Sequence, residues 1–269
     1  MPHLDEPIRR YYGEGRERER LAADPLERDR TQRLLERFLP PAPARVADVG
    51  GGPGHYAGWL ADRGYDPVLL DPMELHLEQA AAAGVAETVL GDARDLPWED
   101  TTFDAVLLFG PLYHLVERED RVRALGQAAR VVAPGGVVMA AAISRYASFL
   151  DALVHGRFGD PAFREIVAQD LAEGRHHNPD AIRGSFTTSF FHTGDELRSE
   201  VTDAGLILRD LLAIEGPGAV LADEEPVEAD REAWTALLAM IEQLEAEPSL
   251  LGLSSHIMAV AHRPRRSVE

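Results

Sequence analysis

One stretch constrains the fold of this chain more than any other. Asp48-Val49-Gly50-Gly51-Gly52-Pro53-Gly54 lies between a short apolar run and a helical pattern. Glycines at such a corner let the backbone approach a ligand closely, and the following helix N-terminus offers unpaired N–H groups. The surroundings fit. From Ala44 onward, apolar runs at Arg45–Val49, Pro67–Leu70, Glu87–Leu90, Ala105–Phe109 and Val137–Ile143 read as strands. Helical patterns at Tyr56–Arg63, Glu74–Ala83 and Arg118–Val132 alternate with them, and Gly64, Gly84 and Pro134-Gly135-Gly136 stand as stops. In the last helix Val122, Leu125, Ala129 and Val132 share one face. This alternation is the βαβ signature of a parallel sheet.

The flanks differ in texture. Residues up to Phe38 alternate Arg and Glu, with Leu21, Leu34, Leu35 and Phe38 as sparse apolar anchors, predicting one or two amphipathic surface helices. Pro40, Pro41 and Pro43 mark a boundary. After Ile143 the alternation lapses. Ser148 to Gly174 is expected to be helical, and Arg175–Phe191 to be a loop or cap. Thr193 and Glu196 have capping-box spacing for a helix ending before Gly205. Leu206–Ile214 and Ser255–His262 read as two further strands, with a helix over Val227–Glu247 between them.

Composition removes several chemistries. The 269 residues contain neither cysteine nor lysine, so thiolate zinc sites, a P-loop lysine and a pyridoxal Schiff base are out. The lack of cysteine and of a secretory signal pattern predicts a cytoplasmic protein, and no apolar run is long enough to span a bilayer. A formal net charge of −19 disfavours nucleic acid as a partner, because such binding draws its affinity from cations on phosphates. The chain lacks a His-Glu-x-x-His motif, and adjacent His176 and His177 diverge on either a helix or a strand, so no metal is expected.

The glycine turn alone does not separate ligands; Gly52, Gly54 and Ala57 satisfy a relaxed dinucleotide pattern too. Asp71, ending the second strand, can accept from ribose hydroxyls of either kind of cofactor. Asp48 ahead of the glycines does discriminate, because a carboxylate there suits a cationic amine and repels a pyrophosphate, and Gly91-Asp92-Ala93 after the third strand resembles the adenine-binding turn of methyltransferases. With Phe103 to Leu115 and Arg130 to Gly136, these motifs resemble the class I methyltransferases that use S-adenosylmethionine (SAM), over roughly Arg45 to Ile143. The resemblance implies a Rossmann-like α/β fold: an open, mostly parallel sheet, helices on both faces, one antiparallel strand near an edge. It divides the chain into an N-terminal helical lid (1–43), a SAM-binding core (44–145), a cap insertion (146–192) and the C-terminal part of the core sheet (193–269). It places Gly50 and Gly52 against the methionine part of SAM, Asp48 toward its amine, Asp71 with Pro72 at the ribose, Met73 on the adenine face, Asp92 and Ala93 at the adenine edge, and Phe109 near the sulfonium. Tyr12 and Arg20, beside Tyr11, would close a lid over the cofactor.

Methyl transfer needs alignment above all, and a base only where the acceptor carries a proton. His114, after the fourth strand, is the first candidate base; His177 and His192 in the cap follow. The acceptor is expected to be a small molecule methylated at O or N, its specificity residing in the Ser148–Phe191 insertion. Three other readings stay open: a SAM-binding protein that transfers nothing, an RNA methyltransferase, and an NAD-dependent oxidoreductase. The oligomeric state is not legible.

Overall fold

The computed structural model describes residues 5–13, 15, 17, 23–178, 186–221 and 228–265. Seven strands form one sheet: β1 (Arg45–Val49), β2 (Asp66–Asp71), β3 (Glu87–Leu90), β4 (Phe103–Leu108), β5 (Val132–Ile143), β8 (Ile207–Ala213) and β9 (His256–His262). β6 (Arg175–His176) and β7 (Ser189–Phe190) make a separate hairpin. The sheet order is β3-β2-β1-β4-β5-β9-β8. All neighbours run parallel except at β9, which is antiparallel to both β5 and β8. The expected single antiparallel strand near an edge is therefore present. Strand order reverses between β1 and β4, and a ligand crevice opens outside the carboxyl ends of strands at such a point.

Strands buried on both faces explain the near-continuous apolar runs of the sequence. One face packs Ala47, Val49, Val68, Leu70, Val106 and Leu108 against Leu125, Ala128, Leu197 and Val201. These last four come from α6 (Arg118–Val131) and α9 (Gly194–Asp203). The other face packs Val46, Ala105, Leu107, Met139 and Val260 against Leu34, Leu35, Tyr56 and Leu60. These come from α2 (Pro25–Phe38) and α3 (His55–Ala61). The remaining helices are α1 (Glu6–Gly13), α4 (Glu74–Ala82), α5 (Pro111–His114), α7 (Ala147–His155), α8 (Pro161–Glu173) and α10 (Arg231–Leu244). The Thr193–Glu196 capping box forms as its spacing predicts.

Three local expectations are corrected. α2 is amphipathic as expected, with Leu34 and Leu35 buried, but its buried face also carries charge. Arg30 is fully buried, donates from Nε to the Ile214 carbonyl at 2.9 Å and pairs with Glu245, which Arg37 also holds. The Arg/Glu alternation that read as solvated thus includes a buried ionic anchor. In α6 the buried stripe is Arg121, Ala124, Leu125, Ala128 and Val131, one position off the apolar face, because Arg121 is neutralised by Glu200 at 2.7 Å. Pro134-Gly135-Gly136 does not precede β5 but lies inside it, where the pairing with β4 slips and Gly135 adopts φ +81°. Leu21 lies outside the described residues.

Candidate active site

β1 delivers its chemistry at its carboxyl end. Gly50 and Gly52 have φ of +73° and +55°, a backbone that non-glycine residues adopt only with strain. A Cβ on Gly50 would sit 2.8 Å from Pro111 Cδ, so the loops after β1 and β4 touch. At Gly52 the Cβ direction is open among the described residues, with Glu17 Cγ at 3.8 Å the nearest atom beyond its chain neighbours. Gly52 therefore faces a cavity of about 350 Å³ at the switch point of the sheet. Its walls include Asp5, Ile8, Tyr12 and Glu17 from the N-terminal segment, and Gly50, Gly52, Asp71, Pro72, Met73 and His76 from the first two strand ends. Asp92, Ala93, Arg94, Gly110, Pro111, Tyr113, His114, Glu117 and Asp120 close the rest.

Asp71 organises the floor. Its Oδ2 accepts from the Gly52 N–H at 2.9 Å, while Oδ1 accepts from the Met73 N–H at 2.9 Å and from His76 Nδ1 at 3.0 Å. Four carboxylate lone pairs less three bonds leave one, on Oδ2, for a ligand. Asp92 is gripped by Arg94, whose Nη2 lies 2.6 Å from Oδ2 and whose Nη1 reaches Asp120 at 2.9 Å. Among the described lining residues there are six carboxylates and one guanidinium, a lining that favours a cationic ligand over a pyrophosphate.

Asp48 lies beneath the turn, fully buried. Neither oxygen has a hydrogen-bond partner of ordinary geometry among the described residues. Burial, then the charge of Asp71, pushes its carboxyl up to about 7, and the Ala57 amide offsets only part of this. Such a carboxylate lacks a cation.

His114, on α5, lines the cavity. Its Nε2 shares a 2.7 Å hydrogen bond with the Tyr12 hydroxyl, and its ring stacks on Phe186 at 5.6 Å. Tyr12 also meets the rings of His76 and Tyr11 edge-on, so α1 is fastened over the pocket by aromatic contacts. Burial pushes the His114 ring down to about 3, against the pull of the Thr188 backbone. The ring is neutral throughout the physiological range. NMR titration is expected to find its Hε1 shift flat from roughly pH 5 to 8. Because the unfolded state binds this proton near 6.5, stability is lost as pH falls from about 6.5 toward 3. A ring that titrates between 6 and 7 would contradict this environment.

The other candidates lie apart from the cavity. His177 is exposed. His192 is 1% exposed and bonds Glu200 at 3.1 Å, in the network that holds Arg121. Arg121 in turn donates to the carbonyls of Leu115 and Val116, two residues that line the cavity. Asp48 and Phe109 flank the cavity without lining it, and Arg20 lies outside the described residues. No described residue between 146 and 192 lines the cavity; the insertion reaches it through Phe186 on His114. Sequence reading missed His76 and Arg94. Both had a local signal, a side chain able to bond Asp71 from the next helix turn and one able to bond Asp92 two positions on.

Residues 47–140 match the methyltransferase domain family. An uncharacterized methyltransferase of Mycobacterium bovis is 39% identical over 104 residues, 38% of this chain and 41% of that protein. A probable tRNA methyltransferase 9B of Mus musculus is 35% identical over 94 residues, 35% of this chain and 20% of the relative. The chain thus spans about two-fifths or less of the length of these curated relatives. A SAM-dependent methyltransferase structure from Methanosarcina mazei superposes with a TM-score of 0.59 at 15% identity, over 87% of this chain and 98% of that one, a likeness of fold. No helix among the described residues is long and apolar enough to cross a membrane. With its glycine turn, its buried unneutralised Asp48 and its acidic pocket, the segment 47–140 is a methyltransferase domain of the class I family, whose cofactor is S-adenosylmethionine.

Proposed function

We propose that this protein transfers a methyl group from SAM to the O or N atom of a small molecule. The observation that carries the reading is Asp48: a fully buried carboxylate, short of a cation, beneath a glycine turn that opens onto a cavity of cofactor size. Bound there, SAM supplies an activated methyl group whose C–S bond breaks, its electron pair staying on sulfur, as the acceptor's lone pair forms the new bond. The residues of this chain bind and align. Gly52 gives room, Asp71 offers its remaining lone pair to the ribose, and Met73, Pro72 and Ala93 border the adenine. Asp92, clamped by Arg94, presents an edge already saturated by protein donors, so its contribution to adenine recognition is shape and charge.

Tyr12 and α1 exclude water from above, which strengthens every electrostatic contact below. In this reading His114 stays neutral and serves as a hydrogen-bonding wall rather than a base. The acceptor is small because the net charge of −19 opposes a polyanion such as RNA. The setting is the cytoplasm, in line with a chain without cysteine.

The test is product analysis with methyl-labelled SAM. Label is expected in a small-molecule acceptor, from a panel of amines and phenols, with S-adenosylhomocysteine released in equal amount. Label in tRNA with none in the panel would overturn the acceptor class, and binding without release would leave a SAM-binding protein that does no transfer.

A further inference from the structure

Residues 115–117, between α5 and α6, belong to no helix or strand, yet Leu115, Val116 and Glu117 all line the large cavity. Such a segment needs bonds from elsewhere to hold its carbonyls in place. Arg121, near the start of α6, provides them. Its Nη1 donates to the Leu115 carbonyl at 2.8 Å and to the Val116 carbonyl at 2.7 Å. The rest of the guanidinium is held by Glu200 of α9, which accepts from Nε at 3.0 Å and from Nη2 at 2.7 Å. Both side chains are buried. The guanidinium carbon lies 3.7 Å from the centroid of the Phe190 ring, and His192 Nε2 meets Glu200 Oε2 at 3.1 Å.

The pair does more than anchor α6 to α9. Taking two charges out of water costs about as much as their attraction returns, so two apolar side chains would join these helices at least as well. They would leave the two carbonyls of the pocket wall unheld. A lysine would not hold them either, because an ammonium lacks the planar fork that serves a carboxylate and two carbonyls at once. The wall held in this way lies at one end of the cavity. Leu115 packs on the apolar cluster that contains Ala93, and Asp120, next to Arg121, is joined through Arg94 to Asp92.

We propose that Arg121 is a positioning residue for SAM: its two bonds fix the wall of Leu115 and Val116 against which the adenosine half of the cofactor binds. The inference rests on the methyltransferase reading, which seats the adenine beside Asp92 and Ala93. It also gives part of the insertion a task on the cofactor side. Phe190 backs the guanidinium, and His192, a candidate base by its place in the sequence, braces Glu200 instead. From the outer side Arg175 of β6 clamps Glu117, with both nitrogen–oxygen distances at 2.9 Å. The wall is therefore held from α6, α9 and the β6–β7 hairpin together, none of which the glycine turn touches.

Calorimetric titration of SAM and of adenosine into the full chain tests this. Arg121→Lys keeps the charge opposite Glu200 and loses the fork. The double variant Arg121→Met, Glu200→Met removes the pair whole and leaves neither charge buried alone. Both are expected to fold and to lose affinity for SAM and for adenosine by the same factor, about tenfold in the double variant and about threefold in Arg121→Lys. SAM affinity is expected to keep its rise from about pH 5.5 to 7 in both, because Asp48 ionises at the other end of the ligand. Folded variants that bind both ligands as wild type does would overturn the proposal. So would SAM affinity falling while adenosine affinity holds, loss of the pH dependence, or failure of both variants to fold, each of which marks a structural role. If only the double variant fails to fold, Arg121→Lys decides. Wild type binding neither ligand would instead sink the underlying methyltransferase reading.

Discussion

Gly52→Val is expected to remove measurable SAM binding, at least 100-fold, or roughly 2.8 kcal/mol, while the protein still folds. Two effects add: valine at φ +55° is strained by about 1–3 kcal/mol, and its side chain enters the cavity, since among the described residues beyond its chain neighbours the atom nearest to the Cβ is Glu17 Cγ at 3.8 Å. A change at Gly51 would act differently, because a Cβ there lands 2.5 Å from Asp48 Oδ2 and disturbs the turn from within. Thermal unfolding shows whether the Gly52 variant is folded and calorimetric titration whether it binds. Wild-type affinity in a folded Gly52→Val protein would place the cofactor elsewhere.

Asp48→Asn is expected to move stability and binding in opposite directions. In the ligand-free protein the carboxyl is raised from 3.8 to about 7. The stability contributed by its protonated form is fully present below about 3.8 and is lost as pH rises through about 7. At pH 8 wild type carries this penalty, on the order of 1–4 kcal/mol. Asparagine does not, so the ligand-free variant should melt higher at pH 8, a gain that vanishes near pH 4. SAM binding should weaken at least tenfold, because the ammonium loses its counter-charge. The wild-type affinity should also rise from pH 5.5 to 7 as Asp48 ionises, and that slope should disappear in the variant. An Asn variant that melts lower at pH 8 and binds SAM as wild type does would show that Asp48 has another partner.

The fold was legible because its signals were local. The strand at Arg45–Val49, the glycine turn, the stops at Gly64 and Gly84 and the capping box at Thr193 each need only neighbours in sequence. What failed was burial of charge. Arg30 and Arg121 belong to the core only because Glu245 and Glu200 meet them from far along the chain. No periodicity of apolar residues carries that information. The large pocket shows the same division. Gly52, Asp71, Met73 and Asp92 followed from motif positions, and His76 and Arg94 were two short steps away. The Arg121 fork on the carbonyls of Leu115 and Val116 had no spacing to betray it, since Glu200 aims it only once α9 packs on α6. The histidines that stood out by position, His177 and His192, sit on the surface and in the Arg121 network.

Calorimetric titration of SAM and of NAD into the wild-type chain at pH 7.5 tests the central claim most directly. One SAM site per chain and no heat from NAD is the predicted result; NAD binding at this pocket, or no SAM binding at all, would contradict the account.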